Sequence, residues 1–364
     1  MSRRNGIVYY ITSHGYGHLN RAAAVLDAIP RNVPIHVKTD RNLFDRCSDS
    51  INRPTELSEG AFDCGAVHPP CESSLVDRAA TLSAYQRVHA QASERLGNEV
   101  EFLRRGNFAA VVSDVAPLPL RAAREAGIPG VLVANFTWSD IFRPYARSDL
   151  TTYRPMIRQM AFEYSQATVL LRAQPAIESD GFRFVRRVGL VARRGRDRTR
   201  ELLAELGLSR DARLVYMYVG RNGQDDIQWQ NLSRLPDYHF ISYQAIGGAA
   251  DNWHVVDLVR WPPRDLAASV DVMVAKAGYG TVSDAMTHRT PLVFPPRFGF
   301  CEHRALAAGL RQWGGGVPVS TREFKELRLR RALDSAASLR PGPAPYPTDG
   351  AQRCAHEILK LAAV

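Results

Sequence analysis

The chain has 364 residues, 45% of them apolar, and a formal net charge of +10. That is enough apolar sequence for two cores of ordinary domain size, and no apolar run is long enough to span a membrane. Of the 47 basic residues only four are lysines (Lys38, Lys276, Lys325 and Lys360), so the charge rests on arginine.

Along the chain, short apolar strand patterns alternate with amphipathic helical ones, which predicts parallel sheets covered by helices. Strands are expected near 6–12, 33–38, 109–113, 130–134 and 167–171, and helices near 20–29, 77–104, 117–126 and 152–165. Arginine-rich polar sequence at 185–209 then separates a second series. Its strands are expected near 213–219, 238–242, 271–275 and 291–294, and its helices near 264–269, 281–288, 302–311 and 322–337. Pro341-Gly-Pro-Ala-Pro-Tyr-Pro347 is a stiff connector before a last helix at 349–362. The expected fold is α/β: two doubly wound Rossmann-like domains, 1–190 and 191–340, facing each other across a cleft. Residues 341–364 form the connector and a helix that packs back on the first domain.

Four negative readings narrow the function. The cluster Arg193-Arg-Gly-Arg-Asp-Arg198 lacks interleaved aromatic residues, so no nucleic-acid partner is expected. Five cysteines without a Cys-x-x-Cys pair imply reduced thiols and no zinc site. With no leader pattern at 1–11, a cytoplasmic location is expected. No Asp-x-Asp triplet occurs, so no metal is expected to take part.

Two glycine turns carry the chemistry. The first strand ends in Thr12-Ser-His-Gly-Tyr-Gly-His-Leu-Asn-Arg21. A dinucleotide fingerprint would need Gly where Asn20 stands. The histidines His14 and His18 bracket the turn instead. Val111-Val-Ser-Asp-Val115 is a buried strand ending in a carboxylate, and strand ends of a doubly wound sheet cluster above its edge. Asp114 therefore either supports a histidine of the first loop or caps the helix expected near Pro117. The second turn is Lys276-Ala-Gly-Tyr-Gly-Thr-Val-Ser-Asp284, after the strand Asp271-Val-Met-Val-Ala275. A strand, a glycine turn and a helix start make an anion site, because helix-start N–H groups and the dipole point at negative charge. Thr281 and Asp284 also have the spacing of a capping box.

Taken together and in order, these motifs resemble the GT-B glycosyltransferases over nearly the whole chain. Gly15-Tyr-Gly-His-Leu-Asn-Arg21, Asp63-Cys-Gly-Ala-Val67, Val111-Val-Ser-Asp-Val115 with Arg121-Ala-Ala-Arg-Glu-Ala-Gly-Ile128, Asn135-Phe-Thr-Trp138, Gly278-Tyr-Gly-Thr-Val-Ser-Asp284 and Arg297 to Glu302 are the matching pieces. Within that group the chain is most similar to the glycosyltransferase-like half of plant L-arabinokinases, without their kinase half. The resemblance implies metal-independent, inverting transfer from a nucleotide sugar, UDP-linked, to an acceptor hydroxyl. The acceptor is a small molecule, a glycan or a lipid-linked group, and the protein a monomer or homodimer. His18 is then the base, with His14 as the alternative, and Asp114 orients it. Gly17, Arg21 and Trp138 fall on the acceptor side, Arg21 as a contact to an anionic group. On the donor side, Trp261 packs on uracil, and Arg264 replaces the usual Gln. Arg221, Lys276, Gly278, Gly280 and Thr281 meet phosphate, Asp284 meets ribose, and Glu302 and His303 meet the sugar. Two other readings are a binding module without turnover and a nucleotide-sugar epimerase, whose carboxylate pattern is not seen.

Overall fold

The computed structural model describes residues 5–70, 72, 74–148, 150–220 and 226–363. The chain divides into two compact units. One comprises Met1–Val67, Asp77–Ala192 and Tyr346–Val364, the other His68–Val76 and Arg193–Pro345.

Among the described residues, the first unit is built on a seven-stranded parallel sheet. Its strands are β1 (Gly6–Ile11), β2 (Ile35–Thr39), β3 (Glu56–Glu59), β4 (Phe108–Asp114), β5 (Gly130–Ala134), β6 (Val169–Ala173) and β7 (Val185–Gly189), in the order β3-β2-β1-β4-β5-β6-β7. The inner strands β1, β4, β5 and β6 are buried along their whole length, as expected where helices cover both faces. The second unit carries a six-stranded parallel sheet. Its strands are β8 (Arg213–Tyr218), β9 (Tyr238–Ser242), β10 (Trp253–Val255), β11 (Val272–Ala275), β12 (Leu292–Phe294) and β13 (Gly316–Pro318), in the order β10-β9-β8-β11-β12-β13. Val215, Met217, Phe240, Val272, Val274 and Val293 anchor its core.

Nine strands stand where sequence pattern places them. The four it misses are β3, β7, β10 and β13, which are the four sheet edges. Each edge strand carries exposed or half-exposed positions, so it lacks the fully buried apolar run that marks an inner strand. β7 even lies inside the arginine-rich stretch that reads as a seam. The helix expected at 77–104 is two, Arg78–Ala90 and Ala92–Arg105. The helix expected at 322–337 is likewise two, Thr321–Lys325 and Arg330–Ser338.

A short excursion leaves no signature in sequence. Residues 68–76 cross from the first unit into the second, where Leu75 bridges Phe298 in parallel register. Val76 N donates to Phe298 O at 3.1 Å, and Phe298 N donates to Ser74 O at 2.8 Å. Lys325 Nζ ties the excursion down through Glu72 Oε2 at 2.6 Å.

The C-terminal helix Gly350–Ala362 belongs to the first unit and packs on the helix Tyr16–Ala28 and on β4 and β7. Its approach depends on Gly189, at φ +86°, where a Cβ would lie 2.2 Å from Pro347 O. Leu190 N donates to that same carbonyl at 2.8 Å. Gly189→Ala is expected to cost about 2–3 kcal/mol by strain plus displacement of this segment. Gly181→Ala has the same φ of +86° but open space around it, so it should cost about 1 kcal/mol. Denaturant midpoints compare the two, and equal losses would show that the Pro347 contact does not matter.

Candidate active site

β1 and β4 are neighbours, paired in register so that Ile11 lies opposite Asp114. The two strands therefore end level, and the loop leaving β1 passes over the carboxylate that ends β4. Val115 follows at φ +69°, a strained conformation for a β-branched residue that turns the chain sharply away from the strand. Asp114 does not cap the next helix, Leu118–Ala126, whose start has no side-chain cap. It faces the first loop instead.

The helix after β1 begins at Tyr16, four residues earlier than its apolar pattern indicates, because glycines and a histidine fill its first turn. Gly17 and His18 thus lie on helix. His18 Nδ1 is 2.6 Å from Asp114 Oδ1. Arg21, one turn on, donates from Nε to Asp114 Oδ2 at 2.9 Å and from Nη2 to Oδ1 at 2.7 Å. Its Nη1 donates to Asn135 Oδ1 at 2.7 Å. Arg21 is therefore neither a surface charge nor a contact waiting for an anionic acceptor. It is buried and committed to Asp114. That corrects the expectation from sequence, in which an arginine on a helix gave no sign of its partner.

Asp114 is fully buried, which by itself raises a carboxyl. Arg21 and His18 outweigh that and hold it at about 2. Burial lowers His18 below the ordinary histidine value, even against the pull of Asp114. The imidazole is thus neutral at pH 7. With Nδ1–H donated to the carboxylate, its Nε2 keeps a lone pair.

His14 has a carboxylate of its own. His14 Nε2 lies 3.2 Å from Asp63 Oδ2. The same oxygen is 2.8 Å from Thr12 Oγ1 and accepts from Trp138 Nε1 at 3.1 Å. Asp63 is lowered despite its burial, chiefly by His14. Trp138 is fully buried, stacked on Phe142 and edge-on to His14 at 5.1 Å between ring centres. It supports the site from behind and offers no face to an acceptor, which corrects the expectation that it lies on the acceptor side. Asp63 and Asn135 lie in pieces that the resemblance matched, but their partners, and any part for Thr12, could not be read from the sequence.

In the second unit the glycine turn joins β11 to the helix Tyr279–His288. That helix starts two residues before its expected start, with Gly278 at the N-cap and no side-chain cap, so Thr281 and Asp284 form no capping box. The first intrahelical bond runs from Val282 N to Gly278 O at 2.9 Å. The N–H groups of Gly280 and Thr281 therefore precede the bonded part of the helix. The side chain of Lys276, one residue past β11, makes no hydrogen bond or ion pair among the described residues. Burial lowers it to about 8, helped by Arg297. A Cβ on Gly220 would sit 3.4 Å from its Nζ, so the turn after β8 also borders it. His68 is lowered by burial, with Arg297 and Lys276 as neighbouring charges, and donates from Nδ1 to Leu75 O at 2.7 Å. His303 Nδ1 is buried with no hydrogen-bond partner among the described residues, and burial lowers that ring too, again with Arg297 nearby. Arg297 is the common neighbour, stacked on Phe300 at 4.1 Å with Nη1 3.9 Å from Glu302 Oε2. Glu302 is buried behind it. Sequence pattern gave neither Arg297 nor His68 a role in this cluster.

Asp284 is pushed up to about 7 by burial, with Arg193 and Arg264 opposing. Its carboxylate makes no hydrogen bond or ion pair among the described residues. Trp261 corrects another expectation. It is fully buried, with Nε1 donating to Glu205 Oε2 at 3.1 Å and Arg198 lying 4.0 Å over its ring. No face remains for a nucleobase. The expected contact at Arg221 lies outside the described residues. Among those residues no group of three or more His, Cys, Asp or Glu is arranged to hold a metal ion, and no helix is long and apolar enough to cross a membrane.

No family model matches the chain. Over 341 residues, 92% of its length, it is 32% identical to the L-arabinokinase of Arabidopsis thaliana. That stretch is 32% of the relative's own length, so the chain spans about a third of the curated relative it matches. A UDP-glucosyltransferase from Polygonum tinctorium capable of glucosylating indoxyl superposes with a TM-score of 0.63 at 15% identity, covering 100% of both chains. The glycosyltransferase VinC, in complex with dTDP, superposes at 0.60 and 16% identity over 98% of this chain and 95% of its own. The chain has the GT-B fold. Within that GT-B frame, the two parallel sheets are the two Rossmann-like layers expected from the strand pattern.

The Asp114 cluster makes stability depend on acid. A carboxylate whose pKa is depressed by folding stabilises the fold above its unfolded value and loses that contribution as pH falls through the folded value. Stability should therefore drop between about pH 4 and pH 2, with Asp114→Asn removing about 2 kcal/mol of that dependence. Arg21→Met leaves the carboxylate buried and uncompensated, and is expected to cost about 3–5 kcal/mol at pH 7. Denaturation followed across pH measures both effects.

Proposed function

We propose that this protein is an inverting glycosyltransferase that moves a sugar from a nucleoside diphosphate sugar to an acceptor hydroxyl, without a metal. The observation that carries the reading is the neutral, carboxylate-backed His18, with an unprotonated Nε2. In the step, the acceptor O–H gives its proton to His18 Nε2, and its oxygen attacks the anomeric carbon from the face opposite the leaving group. The bond from that carbon to the diphosphate oxygen breaks, and its electron pair leaves with the nucleoside diphosphate. Asp114 stabilises the imidazolium that forms.

The second unit supports the donor half of this reading. Lys276, Arg297 and the uncapped start of the helix Tyr279–His288 supply positive charge where the leaving diphosphate gains negative charge. A buried cation without a partner is costly unless a ligand supplies the anion. Asp284 is a matching acceptor for ribose hydroxyls. The UDP-glucosyltransferase and the dTDP complex among the structural neighbours fit a uridine or thymidine donor. The L-arabinokinase relative adds a sugar-handling context but no kinase step.

The test is nucleotide release from UDP-glucose and dTDP-glucose across a panel of sugar, polyol, phenol and lipid-alcohol acceptors. His18→Ala should lower kcat by about 10²–10⁴-fold while donor affinity is kept. Turnover by that variant at the wild-type rate would sink the base assignment. Since the histidine is shifted down, kcat/KM should hold as pH falls to about 6.5 and decline only below it. Lys276 loses its charge as pH rises through about 8, so donor affinity should weaken above that pH, and Lys276→Ala should abolish this dependence. Isothermal titration with UDP at pH 7 and pH 9 checks it.

A further inference from the structure

The first loop holds two His–Asp pairs, and the reaction above uses one. His14 is held as firmly as His18. Its carboxylate partner, Asp63, has a side chain only 2% exposed, and Thr12 and Trp138 bind the same oxygen. Trp138 packs edge-on to the ring, and Gly65 presses on it from the chain at φ +70°, where a Cβ would come within 2.4 Å of His14 Cβ. A histidine that only filled surface would need none of this.

The chemistry of the two rings is complementary. With Nε2–H donated to Asp63, His14 keeps a lone pair on Nδ1. With Nδ1–H donated to Asp114, His18 keeps one on Nε2. Neither nitrogen has a hydrogen-bond partner among the described residues. The ring centres are 4.8 Å apart, so one small ligand meets both. Two neighbouring acceptors call for two neighbouring donors. An ionised phosphate or carboxylate has no such donors, and the adjacent cation, Arg21, is committed to Asp114 and Asn135. Adjacent hydroxyl groups supply both.

We propose that the acceptor is a vicinal diol, such as a sugar, polyol or catechol, whose attacking hydroxyl is held by His18 and whose neighbouring hydroxyl is held by His14. Asp63 is the positioning residue behind His14. The proposal rests on the transferase reading in taking this unit as the acceptor side. A site built to hydrogen-bond a hydroxyl discriminates strongly against a ligand that lacks it, because its own polar group is then left unpaired.

The experiment is imidazole ¹⁵N NMR of the full chain, titrated with cis-1,2-cyclohexanediol and with cyclohexanol. The diol should move the signals of both histidines, and cyclohexanol only that of His18. His14→Gln and Asp63→Asn should each reduce the preference for diol over mono-ol by about tenfold. Asp63→Asn should also shift the His14 tautomer, which a purely structural role would not predict. An unmoved His18–Asp114 signal reports that the variants fold. A diol that moves only His18, no shift at either ring, or a preference unchanged in both variants overturns the proposal. Nucleotide release from UDP-glucose separates the two readings. A diol preference without release under any condition sinks the transferase and keeps the diol site. Release without diol preference does the reverse.

Discussion

A carboxylate at zero exposure, at the end of a central strand, is an expensive thing to bury, and Asp114 is buried only because its charge is matched in full. Two guanidinium N–H bonds from Arg21 and one imidazole nitrogen meet its two oxygens. Removing a partner would leave a charge in the core, which is far costlier than never having buried it. This one constraint fixes much of the first unit. It sets the direction of Arg21, draws in Asn135 from the end of β5, and holds the first turn of the helix Tyr16–Ala28 over the ends of β1 and β4. The tautomer of His18 follows from it.

The second unit treats charge the opposite way. Lys276 follows its strand half-buried, with like charge from Arg297 beside it, Asp226 opposing, and no ion pair of its own among the described residues. Asp284 likewise makes no ion pair among the described residues, although Arg193 and Arg264 act on it. Matched charges, as around Asp114, build a rigid frame. Incompletely paired ones at a helix start are suited to an anion, and on the proposed function a diphosphate supplies it. The two units thus divide the labour by how completely their buried charges are compensated.

Much of this was legible in the chain. Every inner strand was visible as an apolar run, and the turns at Gly15–Gly17 and Gly278–Gly280 pointed to His18, Asp114 and Lys276. The edge strands were not visible, since exposure on one side removes the apolar signal. Trp138 and Trp261 were ambiguous because an aromatic residue suits a core and a ligand equally well. Burial decided both for the core. Arg21 was misread for a related reason: a long cationic side chain carries no mark of whether it faces water or a buried carboxylate.

By itself, then, the sequence determined the layered α/β architecture and the two glycine turns, because both are local patterns of apolar period and backbone freedom. Only the tertiary structure decided which side chains meet. Asp63 reaches His14 across 49 residues, and Arg21 reaches Asp114 across 93. Contacts of that range depend on the level ending of adjacent strands and on the cost of leaving a buried charge alone, and neither is written in any local stretch of the chain.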